Sequence, residues 1–232
     1  MNSIKKTARI AGLLYLIVAV NGFFFLRYVP SRLIVWNDAA TTFKNIKASE
    51  SLFRLGVLSE IIGYTAWLLL PLVLYKLLKP VDKIWALLML TFALLIVPIA
   101  FTNISNQFAV LTLIGNSEYL KVFEPEKLHA QVLFYLDSFD NGNQIASVFW
   151  GLWLLPFGYL VFKSGFLPKI LGILLMFGCF GYLVNFAGNL LFKSYGDSIV
   201  ARYITRPGSI GELGICLWLL IVGTKEKRAA KR

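Results

Sequence analysis

Histidine occurs once in these 232 residues, at position 129, and cysteine twice, at 179 and 216. A catalytic zinc site normally takes three protein ligands rich in His or Cys, so no metal centre and no cofactor is expected. No Gly-x-Ser-x-Gly elbow and no glycine-rich phosphate loop occurs, which removes two common signatures of hydrolases and nucleotide enzymes. Charge is scarce as well: 15% of the residues are Asp, Glu, Lys or Arg, against roughly 25% in soluble domains. A chain so poor in charge cannot cover a water-facing surface. It has no basic amphipathic stretch with interleaved aromatics on a polar background, which excludes nucleic acid as a partner despite the net charge of +11. Both cysteines fall inside apolar blocks, where they read as small apolar residues rather than as disulfide or metal partners.

What the chain has instead is apolar length. Hydrophobic residues make up 58% of it, gathered into long blocks rather than alternating or forming one helical stripe. About 20 consecutive apolar residues cross a ~30 Å hydrocarbon layer as a helix. Six blocks meet that length, approximately 7–26, 52–78, 84–105, 143–162, 170–192 and 207–223. The expected fold is an all-α, polytopic transmembrane bundle in a single domain spanning residues 1–232. The first block follows Lys5, Lys6 and Arg9 as a signal peptide would. It is longer than a usual signal core, and Val18-Ala19-Val20-Asn21 is a poor cleavage site, so it reads as a retained span. Residues 27–51 read as a polar loop. Residues 124–139 have helical spacing, with Leu128, Val132, Leu136 and Phe139 on one face, but are too short and too charged to span. They read as a separate amphipathic helix on the outer membrane surface.

Loop charge sets the orientation. With the N-terminus inside, the start, the turns around Lys79–Lys83 and Lys163–Lys169 and the tail hold thirteen basic residues against Asp82 and Glu226. The other segments hold ten of each sign, so the entire +11 lies on one face. Both termini are therefore expected in the cytoplasm. Trp85 stands by an inner turn as an interfacial anchor. The tail, with Lys225, Lys227, Arg228, Lys231 and Arg232, suits anionic membrane lipids.

In this topology the polar residues of the spans, Asn21, Asn106, Gln107, Asn143 and Gln144 among them, collect in their outer halves. Arg54 and Glu60 lie on the second span, Asn103 at the outer end of the third, Asn185 and Asn189 on the fifth and Glu212 on the sixth. An ionisable group at mid-membrane costs at least about 2.5 kcal/mol and needs a partner or a wet cavity. These six residues are the candidate ligand-binding set, forming an outward-facing polar pocket. Arg54 and Glu60 stand poorly placed to meet on their own helix, so partners from other helices are expected. The opposing reading makes the asparagines simple interhelical glue. The glycines Gly172, Gly178, Gly181 and Gly211 are explained by close helix packing without a ligand.

Three spans share a sequence near mid-depth, Trp67-Leu68-Leu69, Trp153-Leu154-Leu155 and Trp218-Leu219-Leu220, which hints at repeated helical hairpins. The stretches Gly165-Phe166-Leu167-Pro168-Lys169-Ile170-Leu171-Gly172, Gly181-Tyr182-Leu183 and Gly211-Glu212-Leu213-Gly214, with Leu217-Trp218-Leu219-Leu220, resemble the DUF4386 family of bacterial membrane proteins. The N-terminal Ala8-Arg9-Ile10-Ala11-Gly12-Leu13-Leu14-Tyr15-Leu16 fits the start of that family. Where many members look to carry Asp after Gly-Tyr-Leu, this chain has Asn185. The resemblance implies a multi-pass protein of the bacterial cytoplasmic membrane and no activity or catalytic residue.

Three functions stay open on the residues alone. The first is a bundle that binds, and moves, a small or amphiphilic molecule through the outer polar pocket. The second is a structural or accessory membrane protein acting through partner contacts. The third, a membrane enzyme using His129 and outer acids on a lipid or peptide, fits the residues least.

Overall fold

A computed structural model describes residues 3–115 and 117–224. Lys225, Lys227, Arg228, Lys231 and Arg232 of the basic tail lie outside the described residues. Among the described residues every regular element is helical. Six helical segments are long and apolar enough to cross a membrane: Ile4–Leu33, Glu50–Leu78, Lys83–Leu113, Pro125–Lys163, Lys169–Leu191 and Ile199–Ile221. Inside hydrocarbon the backbone has no partner but itself, and helices satisfy it residue by residue. The protein is an all-α, multi-pass membrane bundle.

The helices in chain order are α1 (Ser3–Phe23), α2 (Val29–Leu33), α3 (Ala39–Ala48), α4 (Glu50–Leu78) and α5 (Lys83–Leu113). They continue as α6 (Pro125–Leu152), α7 (Leu154–Lys163), α8 (Lys169–Leu191), α9 (Ile199–Tyr203) and α10 (Arg206–Ile221). The amphipathic stretch expected at 124–139 is helical, and it runs without a break into the fourth span as the first half of α6. The segment expected as a polar loop at 27–51 also holds helix. A π-turn, Phe24–Tyr28, joins α1 to α2, and Asp38 caps α3 by accepting from the Thr41 amide at 2.9 Å. The Thr41 hydroxyl donates to the same carboxylate at 2.6 Å. The side-chain bond and then the backbone bond hold Asp38 below the usual carboxylate range.

Proline sets the irregular points. Pro30 has no N–H to give the Leu26 carbonyl and its ring crowds that oxygen. The chain widens just before it, with the Val29 N–H bonding the Phe24 carbonyl across the π-turn. Pro156 likewise leaves the Leu152 carbonyl without a donor, and α6 gives way to α7 at Trp153.

The chain forms two compact units. The first comprises the described residues within Met1–Ile17, Ala66–Val97 and Ile145–Arg232. Glycine lets its helices approach closely. A Cβ on Gly178 of α8 would lie 2.5 Å from the Gly208 Cα of α10, and one on Gly158 of α7 would lie 2.5 Å from the Gly172 carbonyl oxygen of α8. Gly12 of α1 meets the Leu220 backbone directly. Trp67 and Trp153, two of the three repeated tryptophans, are buried and meet edge to face at 4.9 Å. The Trp67 Nε1 donates to the Ala93 carbonyl at 2.9 Å. The turn between α7 and α8 closes through Gly165, at φ +71°, where a Cβ would be strained.

The second unit comprises Val18–Thr65 and Pro98–Gln144. Its apolar core includes Val29, Leu33, Ile46, Phe53, Ile104 and Leu136. Buried Thr42 fastens α3 to the end of α2 by donating to the Val35 carbonyl at 3.0 Å and accepting its N–H at 2.9 Å.

Gly178→Leu should separate α8 from α10. Overpacking of this kind costs about 1–3 kcal/mol, and the thermal midpoint of the detergent-purified protein should fall. An unchanged midpoint would show that the Gly178–Gly208 approach is not a packing requirement.

Candidate functional site

Glu60 has no exposed surface, although its helix, α4, is otherwise apolar around it. Its Oε2 accepts a hydrogen bond from Nε2 of Gln107 on α5, while Oε1 has no partner. One helical turn on, the buried Tyr64 hydroxyl also lacks a partner, and its ring packs on Phe25 at 5.9 Å. Ser59 donates to Oδ1 of Asn21 at 2.7 Å, tying α4 to α1.

The amide of Asn103 organises the next layer. Its Nδ2 donates to the Phe139 carbonyl at 2.8 Å and to Oδ1 of Asn143 at 3.3 Å, and its Oδ1 accepts from Asn106 at 3.1 Å. Gly142 faces this amide so closely that a Cβ there would overlap it. α5 and α6 are thus joined by side-chain amides where hydrocarbon offers none. Asn103 and Gln107 stand four residues apart, on one face of α5.

Beside these groups lies a cavity of about 450 Å³, lined entirely from the second unit. The π-turn and α2 supply one wall, with Phe25, Val29 and Leu33, and Phe53 of α4 extends it. Gln107 of α5 and Leu136, Phe139, Asp140 and Asn143 of α6 supply the rest, together with Arg27. Gln107 therefore touches both the cavity and Glu60.

The six candidate residues are divided between the two units. Glu60, Asn103 and Arg54 belong to the second unit, and Glu212, Asn185 and Asn189 to the first. Arg54 makes an exposed ion pair with Glu50 at 2.7 Å and is not among the residues lining the cavity. Glu212 accepts from the buried Tyr15 hydroxyl at 3.0 Å. Arg206 lies over the Tyr203 ring at 4.0 Å. Both glutamates take donors from other helices, and those donors are neutral. Asn189 donates to the Asn185 carbonyl at 2.9 Å, and the Asn185 side-chain oxygen is buried without a partner. His129 packs on Phe43 at 4.4 Å. Among the described residues no cluster of His, Cys, Asp or Glu is arranged to hold a metal.

Sequence reasoning did not place Gln107, Asp140, Asn143 and Arg27 in the site. Two signals were present. Asp140 and Asn143 are three apart, as cavity-facing neighbours on one helix must be. Pro30 marks an irregular turn beside Arg27, and single π-turns often accompany functional sites.

The sequence model for a domain of unknown function, DUF4386, matches residues 10–223, and the chain belongs to that family. An uncharacterized protein of the archaeon Archaeoglobus fulgidus is 31% identical over 124 residues, which cover 53% of this chain and 69% of the relative. No solved structure matches.

Gly142→Ala should displace the Asn103 amide and destabilise the protein by about 1–3 kcal/mol. Asn103→Ala makes room for that methyl, so the double variant should lose less than the two single losses together, by about 1 kcal/mol. Strict additivity in thermal or denaturant unfolding would place the two residues in independent environments.

Proposed function

We propose that this DUF4386 protein is a multi-pass protein of the cytoplasmic membrane that binds a small or amphiphilic molecule in the cavity of its second unit. The observation that carries the reading is the mixed lining. Phe25, Val29, Leu33 and Phe53 share a cavity of about 450 Å³ with Gln107, Asp140 and Asn143. Ligand sites commonly enclose ~300–1,000 Å³, mostly apolar with a few placed polar groups. An apolar molecule leaves the free ends of the Gln107 and Asn143 amides unused, and a wholly polar one wastes the aromatic rings. A molecule with both characters satisfies both.

The distribution of charge supports an outward-facing cavity. Residues 27–36 and 136–143, which line most of it, lie in or beside segments that the loop charges assign to the outside, with both termini in the cytoplasm. A C-terminal fluorescent-protein fusion should then fluoresce and a C-terminal alkaline phosphatase fusion should be inactive. The reverse pattern would invert the orientation and turn the cavity toward the cytoplasm.

Ile34 lines the cavity, and Ile34→Trp should fill part of it. Native mass spectrometry of protein released from lipid nanodiscs should show small-molecule or lipid adducts on the wild type. The variant should retain them about tenfold less, a difference of about 1.4 kcal/mol. Equal retention by a folded variant would remove the cavity as the binding site.

A further inference from the structure

Resting on that reading of the cavity, we propose that its ligand is a zwitterionic amphiphile whose head carries a primary ammonium beside an acidic group, as an aminophospholipid does. The argument is an inventory of donors and acceptors. Nε2 of Gln107 donates to Oε2 of Glu60, so Glu60 holds the nitrogen end of that amide. The carbonyl end is left over. It takes no protein donor, and it is absent from the sealed, unpartnered atoms of the interior, so it opens to the cavity that Gln107 lines. Glu60 is in this sense a positioning residue that turns an acceptor toward the ligand.

Asp140 adds a second acceptor. It accepts a hydrogen bond from Nε2 of Gln144 at 3.4 Å, and no Lys or Arg among the described residues pairs with it. Asp137 stands three residues earlier on the same helix and adds negative potential. Asn143 is set the other way round: its Oδ1 is engaged by Asn103, which leaves its Nδ2 as a donor. Arg27 lines the cavity, is exposed and forms no ion pair among the described residues.

The lining therefore holds one cation and one anion that form no ion pair with each other, together with one further acceptor and one further donor. A primary ammonium donates three hydrogen bonds, which Asp140 and the Gln107 carbonyl receive. A phosphate or carboxylate on the same head meets Arg27, whose planar fork suits either. The apolar wall takes the first carbons of the tail. The volume equals the liquid share of about fifteen waters, room for a head and the start of a chain but not for a whole two-chain lipid.

The test uses full-length protein in nanodiscs containing equal phosphatidylethanolamine and phosphatidylcholine, with retained lipid read by native mass spectrometry. The two heads differ in whether the ammonium has N–H groups. Wild type should retain the ethanolamine lipid about tenfold over the choline lipid, the scale of one charge-assisted hydrogen bond network. Asp140→Asn, at an exposed position, should bring that ratio below about threefold. Glu60→Gln should lower it less, because its carbonyl can still accept from Gln107. Equal retention of the two lipids, with Ile34→Trp still emptying the cavity, overturns the ammonium inference and leaves the cavity reading intact. A preference for choline overturns it too and assigns the head to the aromatic rings Phe25, Trp36 and Phe53. No retention of any amphiphile sinks both readings. Phosphoethanolamine added in water to pure phosphatidylcholine discs separates the sources: binding of the free head supports a soluble zwitterion, and its failure beside retained lipid supports the bilayer.

Discussion

Inside hydrocarbon nothing but the protein can satisfy a backbone N–H or C=O, and that constraint organises this molecule. It makes every span helical; α4 and α5 run on through Pro71 and Pro98, and the pattern yields at two other prolines. Pro156 ends α6 at Trp153, and Pro30 follows a widened turn. The second of these departures lines the cavity, through Phe25, Leu26, Arg27 and Pro30 itself. The same residue that breaks the hydrogen-bond ladder gives the unit an irregular wall against which two straight helices cannot close.

The constraint extends to side chains. Glu60 with Gln107, Glu212 with Tyr15, and Asn103 with Asn143 each join two helices through hydrogen bonds that lipid cannot supply. Both glutamates have neutral donors rather than arginines. A neutral partner leaves a carboxylate under-satisfied, as Oε1 of Glu60 is, and such a group persists where it orients something else or where a ligand reaches it.

The residues that carry the resemblance to the DUF4386 family map onto packing rather than onto the cavity. Gly165 takes the one backbone conformation its turn demands, and Gly172, Gly181 and Gly211 let α7, α8 and α10 touch. Tyr15 and Glu212, from two such stretches far apart in the chain, bond to each other. All of these belong to the first unit, and the cavity is lined wholly from the second. The features that make the chain recognisable thus describe how it holds together, and the proposed ligand chemistry sits among residues the resemblance does not single out.

How much was legible in the sequence follows from the range of each interaction. Helical class, six membrane-crossing segments and the one-sided loop charge depend on windows of about 20 residues, and they were readable without a structure. Glu60 and Asn103 were visible because a carboxylate or an amide stands out in an apolar block. Gln107 and Asn143 were visible only as polar residues at outer span ends, and Asp140 and Arg27 did not stand out at all, since polar residues near the ends of spans are ordinary. The amphipathic half of α6 was legible, but its fusion to the following span was not, because a helix end at Asn143 and a helix running through it use the same residues. Which donor meets Glu60 is decided by how α4 and α5 are rotated and staggered. Helices apolar on nearly every face carry no stripe from which that rotation can be read, so only packing settles it.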